Sequence, residues 1–277
     1  MQQASTIDKL RENLRLQQVY NVFLRYGLDI AFDRVPTVAA LRTSMQRWVW
    51  NLPDDLESPE LPVKVRLMIE ELGPTYVKVG QIVSSQASVL PAEWEAQLAQ
   101  LQSNVPPFPS HQVREIIVDE LGKPPEELYA TFDPEAFAAA STAQVHRATL
   151  HDGAEVVVKV QRPNIRNQMK ADVGIMRNAA RVLSNRVQAL RAIDLKGMVD
   201  EFGSNAIREL DYTGEAYNSH RLTQNMAGIP GVHIPKVFAE LSTDKVLTMA
   251  FIRGVKISNL EAIDAARLDR AMLAKNA

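Results

Sequence analysis

The sequence predicts an α+β fold in which several helices precede a small antiparallel sheet. Three observations carry this prediction. Apolar residues recur at helical spacing through most of the chain before Phe132. The β-branched run Val156-Val157-Val158 has the composition of a buried central strand. Just before it, His151-Asp152-Gly153 supplies the residues of a hairpin turn.

Composition narrows the classes of function. The chain has 277 residues, 46% of them hydrophobic and 23% charged, which is enough for a sizeable core. Its net charge of −2 argues against binding along a nucleic-acid backbone, so we expect no nucleic-acid partner. There is no cysteine, which excludes disulfides, a thiolate nucleophile and cysteine metal sites. The five histidines show no ligand spacing with carboxylates, and we assign no metal-binding residue.

The first 52 residues are expected to form helices, which either dock on their own domain or face a partner or a membrane. Ser5 to Tyr26 is amphipathic with a modest number of basic residues, and we favour docking on its own domain over a membrane-surface position. A second helix is predicted from Thr37 to Trp50, followed by a linker from Leu52 to Pro62. Neither a secretory signal nor a run of 18 apolar residues is present. We therefore expect a cytoplasmic location, with a peripheral membrane position as the alternative.

Residues 63–130 are predicted to be a helical extension. A helix from Val63 to Leu72 ends at Gly73, and the next one begins at Pro74. On that second helix Lys78, Gln81 and Ser85 share one face, while Gly80 permits close approach of a neighbouring backbone. Two further helices are predicted, over Leu90 to Gln102 and from a capping Ser110 to Leu121.

Residues 131–254 are predicted to hold the sheet. We expect strands over 135–148 and 155–161, a helix over 163–190, another over 195–226, and strands over 232–240 and 245–252. This order is that of a protein-kinase N-lobe, in which one strand carries a lysine, here Lys159. A final helix is predicted from Leu260 to Lys275.

A lysine held in a cleft needs a carboxylate to orient it. Three acids lie on the helix predicted over 195–226, namely Glu209, Asp211 and Glu215. At 100° per residue Asp211 and Glu215 share a face, whereas Glu209 points away from both. We therefore predict that Glu215 is the partner of Lys159, with Glu209 as the alternative.

Four segments together resemble the UbiB family of atypical kinase-like proteins. Lys78-Val79-Gly80-Gln81 resembles its KxGQ motif, and Glu209-Leu210-Asp211 its ExD motif. The stretch Ala138 to Ala148 resembles the alanine-rich loop that replaces the glycine-rich loop of kinases, and Val157 to Pro163 resembles the strand of the kinase lysine. The matching residues span Gly73 to about Gly254.

The resemblance implies a site for ATP or ADP. Its phosphates would meet Lys159 and the alanine-rich residues Ala138, Ala139, Ala140, Ser141 and Thr142. Because alanine resists the positive φ that glycine permits, this loop should be a stiffer phosphate cover. Met249 would be the gatekeeper of a kinase-like hinge, with the Ala250 carbonyl and the Ile252 amide reading the adenine. The family often carries an acid where Ala250 stands.

The resemblance also implies a gate over the cleft, formed by Lys78, Gly80 and Gln81 beside Glu209 and Asp211. Family members are linked to isoprenoid-quinone (ubiquinone) biosynthesis and lipid homeostasis, and act at membranes as ATPases or unorthodox kinases. Membrane surfaces or proteins of the quinone pathway are the partners implied besides the nucleotide.

Phosphoryl transfer needs a catalytic-loop Asp, an Asn and a metal-binding Asp beyond the hinge. Nothing after Gly254 has these patterns, since Asn259, Asp264 and Asp269 fall on the predicted last helix. We therefore assign no catalytic residue, expect Mg²⁺ only if a C-lobe is supplied, and interpret 255–277 as the start of a truncated C-lobe that is otherwise largely absent. The alternative is a non-catalytic binding or scaffold protein that uses the helical extension.

Overall fold

A computed structural model describes residues 2–33, 60–85, 90–102, 106–186, 194–257 and 259–276. The helix predicted from Thr37 to Trp50, and most of the predicted linker, lie outside these ranges. Among the described residues no helix is long and apolar enough to cross a membrane. These residues form eleven α-helices and one five-stranded sheet, as the fold class predicted from the sequence requires.

Of the helices in the described ranges, six precede the sheet and five follow its first four strands. The helices are α1 (Gln2–Asp33), α2 (Leu61–Leu72), α3 (Pro74–Ser85), α4 (Ala92–Ala99), α5 (Ser110–Leu121), α6 (Pro125–Leu128), α7 (Ile165–Arg186), α8 (Leu195–Arg208), α9 (Tyr212–Met226), α10 (Leu260–Ala265) and α11 (Arg270–Asn276). A single 3₁₀ turn, Gln100–Gln102, follows α4. The helix end predicted at Gly73 is observed, where φ is 93°.

The strands are β1 (Thr131–Phe132), β2 (Ala138–Ala139), β3 (Ala143–Thr149), β4 (Glu155–Gln161) and β5 (Val246–Ala250). They lie in the order β1-β3-β4-β5, and β2 pairs with β3. Strand β4 is therefore central, as its valine run predicts, and Lys159 stands opposite Leu247 of the antiparallel β5. The turn before β4 contains Gly153 at φ 88°, which suits glycine.

The chain divides into two compact units. The helical unit contains Met1–Phe108, Ala139–Ala143 and Gln161–Leu210, and the sheet unit contains Pro109–Ala138, Gln144–Val160 and Asp211–Ala277. The linear division into 1–52, 63–130, 131–254 and 255–277 stays a prediction.

Helix α1 docks within the helical unit through one apolar stripe. Val19, Val22 and Tyr26 are buried against Leu72 and Tyr76. Beside this stripe, α1 leaves large apolar side chains exposed, at Leu16, Tyr20, Phe23 and Leu24. The amphipathic helix predicted from Ser5 to Tyr26 is thus observed, and it lies against its own unit.

The docking of α1 is fixed by a buried carboxylate on α7. Asp172 is fully buried and accepts hydrogen bonds from Arg15 Nε, at 2.6 Å, and from the Thr75 hydroxyl, also at 2.6 Å. Helices α1, α3 and α7 therefore meet at one ion pair. Burial, followed by the nearby Asp172 charge, raises the pKa of the neighbouring Tyr76.

The strand predicted over 232–240 is wrong. Within it only Val237 forms a bridge, to Met249, and the segment otherwise lacks regular pairing. This bridge is antiparallel and is made by two backbone hydrogen bonds, Phe238 N to Thr248 O and Ala250 N to Lys236 O.

The last helix predicted over 260–275 is also wrong, because it is two short helices. Arg267 has φ 55°, which interrupts the helix, and the Asp269 carboxylate then accepts from the Ala271 and Met272 amides at the start of α11. The predicted cap at Ser110 is wrong as well: Pro109 is the capping position and Ser110 is the first helical residue.

A buried histidine in the sheet unit predicts how stability depends on pH. His146 is fully buried, with Nδ1 2.9 Å from the Asp133 carbonyl and its ring stacked on Phe132. Burial lowers its pKa from the ordinary 6.5. In the unfolded chain it gains a proton near pH 6.5, while the folded chain resists, so stability should fall as pH drops below 6.5 toward the lower folded pKa.

The free energy of unfolding should fall by at most about 1.4 kcal/mol per pH unit, since one proton is involved. Urea denaturation between pH 8 and 5 measures it, and His146→Gln should flatten the profile. The exposed His151→Gln serves as a control that keeps the slope. An unchanged slope in His146→Gln would show that other groups cause the acid loss.

Candidate functional site

Lys159 is held by a carboxylate and an aromatic ring within the sheet unit. Its Nζ donates to Glu215 Oε2 at 2.8 Å and lies 4.5 Å from the centre of the Tyr212 ring. The Lys159 side chain keeps 27% of its surface exposed and that of Glu215 keeps 43%. The pairing predicted from the sequence is therefore observed, and the ammonium stays accessible to an anion.

Glu215 lies on a separate helix, α9, and not on one that begins at Leu195. The single helix predicted over 195–226 is wrong, because the chain leaves the helix after Arg208 and begins α9 at Tyr212. Asp211 is the N-cap of α9 and accepts from the Thr213 amide and, at 2.6 Å, the Thr213 hydroxyl. A rotation of 100° per residue cannot be carried across this break. Aspartate is a favoured N-cap residue, so Asp211 was the local signal for the start of a new helix.

The break itself is supported from β4 and α7. The Leu210 carbonyl accepts from Gln161 Nε2 at 2.8 Å and from the Arg166 guanidinium at 3.0 Å, both within the helical unit. Because the carbonyl between Glu209 and Asp211 is held twice, the segment has a fixed position.

Lys78 lies beside Glu209 in the helical unit. Their ion pair leaves the Lys78 side chain 17% exposed and that of Glu209 59% exposed. The prediction that Lys78 is shielded next to an acid of Glu209-Leu210-Asp211 is observed in this contact. Each unit thus contains one lysine–glutamate pair, Lys78 with Glu209 in the helical unit and Lys159 with Glu215 in the sheet unit.

Gly80 and Gln81 both contact Leu101. A Cβ at Gly80 would lie far inside van der Waals contact with the Leu101 Cδ1 methyl, so the close approach is to a side chain and not to a backbone as predicted. Gln81 Nε2 donates to the Leu101 carbonyl at 2.9 Å. Of the predicted gate residues, only Lys78 contacts an acid; Gly80 and Gln81 fix the 3₁₀ turn.

The alanine-rich residues form a tight turn between β2 and β3. Ala138 and Ala139 make up β2, and the Ala140 amide donates to the Ala143 carbonyl at 2.8 Å. Ser141 is buried, and the Thr142 carbonyl accepts from the Arg162 amide at 2.9 Å.

The predicted hinge residues lie at the end of β5. Met249 and Ala250 belong to the strand, and Ile252 follows it. The Phe251 amide donates to the Glu155 carbonyl of β4. Because backbone groups alternate in direction along a strand, those of Ala250 and Ile252 point to the opposite edge of β5. Within the described part of the chain, no backbone hydrogen bond to the Ala250 carbonyl or from the Ile252 amide is found. That these two groups read adenine stays a prediction.

Groups suited to a metal ion are not found in the ranges that the structure describes. Asn259 caps α10, Asp269 caps α11, and Asp264 pairs with Arg270.

The Asp172 ion pair and the contacts of Arg162 were missed by sequence reasoning. Both residues stand among other charged residues of the helix predicted over 163–190 or at its start, and no local pattern sets them apart.

Comparison with known proteins gives the family. A family described as the ABC1 atypical kinase-like domain matches residues 100–277. A protein of Marinobacter nauticus named probable protein kinase UbiB is 36% identical over 266 residues, covering 94% of this chain and 48% of that protein. The protein of the same name from Pseudomonas aeruginosa is 34% identical over 270 residues, with 96% and 50% covered. The uncharacterised protein sll1770 of Synechocystis is 38% identical over 211 residues.

A solved structure of Rv3197 with erythromycin, from Mycobacterium tuberculosis, is 30% identical and covers 70% of this chain and 49% of that chain, with a TM-score of 0.48. The chain spans about half the length, or less, of the relatives that it matches.

Proposed function

Because the chain belongs to the ABC1 atypical kinase-like family, we propose that it binds an adenine nucleotide, ATP or ADP. The observation that carries the proposal is the contact of Lys159 with Glu215 at 2.8 Å, on the central strand of the sheet. A carboxylate that orients a partly exposed ammonium is the arrangement by which kinase-like proteins hold nucleotide phosphates. The Tyr212 ring adds a cation–π contact that limits where the ammonium can turn.

The hinge supports the same proposal. Adenine is recognised by one acceptor and one donor, and the Ala250 carbonyl and Ile252 amide supply that pair at the end of β5. The gatekeeper role of Met249 is part of the proposal. The alanine-rich residues Ala138 to Thr142 are included as the phosphate-binding segment on the basis of their sequence position.

The activity of the whole protein is a wider proposal. Its relatives named UbiB are probable protein kinases, and we propose a role in isoprenoid-quinone or lipid metabolism, with Mg²⁺ bound only where a C-lobe supplies its ligands. The second candidate is a non-catalytic scaffold. It is favoured by the exposed apolar face of α1, Leu16, Tyr20, Phe23 and Leu24.

Nucleotide binding should be weak and independent of Mg²⁺. Ligand at about ten times its Kd stabilises a protein by about 1.4 kcal/mol, which raises Tm by roughly 3 to 5 °C. Thermal melts with ATP and ADP, in EDTA, measure this shift. Lys159→Ala should abolish it, because the phosphates lose their cation.

Lys245→Ala is the matched control, since it also removes an ion-paired lysine from the sheet unit, the partner of Glu120, and should keep the shift. The absence of any shift in wild type and both variants would overturn nucleotide binding. A shift that survives Lys159→Ala would overturn the role of Lys159.

A further inference from the structure

Arg162 joins two separate backbone segments of the helical unit. Its Nε donates to the Ala140 carbonyl at 3.1 Å, and its terminal nitrogen donates to the Pro106 carbonyl at 2.6 Å. The guanidinium also lies 5.6 Å from the centre of the Phe108 ring. One side chain therefore ties the alanine-rich turn to the segment that follows the 3₁₀ turn.

Only arginine can make this connection. Its planar fork presents several donors in a fixed geometry, whereas the ammonium of lysine is a single point. Burial lowers the pKa of Arg162, but the group stays charged at neutral pH because its ordinary value is so high. A half-buried charge that donates to two carbonyls is costly to move, so it holds both segments firmly.

The turn needs such support because its own side chains are small. Ala138, Ala139 and Ala140 have little surface to interlock with neighbours, so packing alone cannot fix the backbone. The turn is held by the pairing of β2 with β3, by the Ala140 to Ala143 hydrogen bond, and by the side chain and the backbone amide of Arg162.

The same arginine and the Lys78 helix border one cavity. Arg162 and Pro106 line this cavity of about 180 Å³ together with Val77 of α3 and Leu101. Leu101 is the residue that Gly80 and Gln81 contact. The side chain that holds the turn therefore lies on the same cavity wall as residues of α3 and of the 3₁₀ turn.

We propose that Arg162 is a positioning residue for the phosphate part of the nucleotide: it holds the alanine-rich turn and links its position to that of α3. The inference rests on the proposed function. A positioning role of Arg162 predicts a result that a general structural role of the same residue does not predict. Loss of Arg162 affects ligands that carry phosphates and spares adenosine, which has none.

The test compares Arg162→Gln, Arg162→Lys and wild type in the full chain. Hydrogen exchange should be about tenfold faster over 138–143 in both variants, because neither side chain spans two carbonyls. Peptides from α7 should keep wild-type exchange. Titration should show ATP and ADP binding weakened by about tenfold in both variants and adenosine binding unchanged. Arg177→Gln, which removes a charge from the same unit, should match wild type throughout.

Each outcome bears on the inference. Unchanged exchange over 138–143 in a chain that binds nucleotide overturns the inference alone. Equal weakening of ATP and adenosine assigns Arg162 a general structural role and also overturns it. Rescue by Arg162→Lys shows that charge suffices, which contradicts the two-carbonyl argument. A wild-type chain that binds none of the three ligands overturns the proposed function, and exchange then decides only whether Arg162 holds the turn.

Discussion

Replacing Asp172 with alanine is expected to destabilise the chain by about 3 to 5 kcal/mol, because Arg15 would be left at a buried position without its carboxylate. The Asp172 side chain is fully buried, and that of Arg15 is only 15% exposed. The Thr75 hydroxyl would lose its acceptor as well. Urea denaturation followed by circular dichroism measures the loss.

Two further variants make this prediction specific. Asp200→Ala removes an exposed carboxylate that pairs with Arg177 and Lys196, and should cost little. The double variant Arg15→Met with Asp172→Leu removes both charges and should recover much of the loss, because apolar groups of similar size can replace a buried pair. A double variant as unstable as Asp172→Ala would show that the hydrogen bonds, and not an unpaired charge, dominate.

Leu101→Ala is expected to destabilise the chain by about 2 to 5 kcal/mol. Leu101 is 2% exposed and packs with Val77 and Leu98 in a small core, where neighbours cannot fully close the cavity. Its loss should also loosen α3, because Gly80 packs on this side chain. Urea denaturation gives the cost.

The contact with Gly80 predicts a reversal of sign. Gly80→Ala in the wild-type chain should destabilise, since the new methyl group overlaps Leu101, although the helical preference of alanine over glycine returns about 1 kcal/mol. In the Leu101→Ala background the same change should stabilise, because the methyl group enters vacated space. Additive effects of the two substitutions would contradict the packing argument.

The structural role of a residue was predictable where it depends on a local sequence pattern. The hairpin around Gly153, the central strand that carries Lys159 and the end of α2 at Gly73 follow from turn chemistry and periodicity. The sequence predicts the pairing of Lys159 with Glu215 although the helix predicted over 195–226 is too long. Asp211 and Glu215 both follow the break in that helix, and the prediction places them on one face.

Residues whose role depends on distant contacts were not predictable. Asp172 lies in a helix rich in arginine, where an acidic residue usually faces water, and its partner is 157 positions earlier. Gln81 was placed on the face of Lys78 by helical spacing, but its amide reaches the Leu101 carbonyl. The 232–240 segment has apolar residues at alternate positions, yet it forms only one bridge to β5, between Val237 and Met249.

The distance between Arg15 and Asp172 along the chain has a consequence for biosynthesis. At a translation rate of about 5 to 20 residues per second, Arg15 is synthesised roughly 8 to 30 s before Asp172. During this time α1 can pack on Leu72 and Tyr76, which are synthesised much earlier, but its arginine has no buried carboxylate to meet. Helix α1 therefore reaches its final position only after the chain has been synthesised as far as α7.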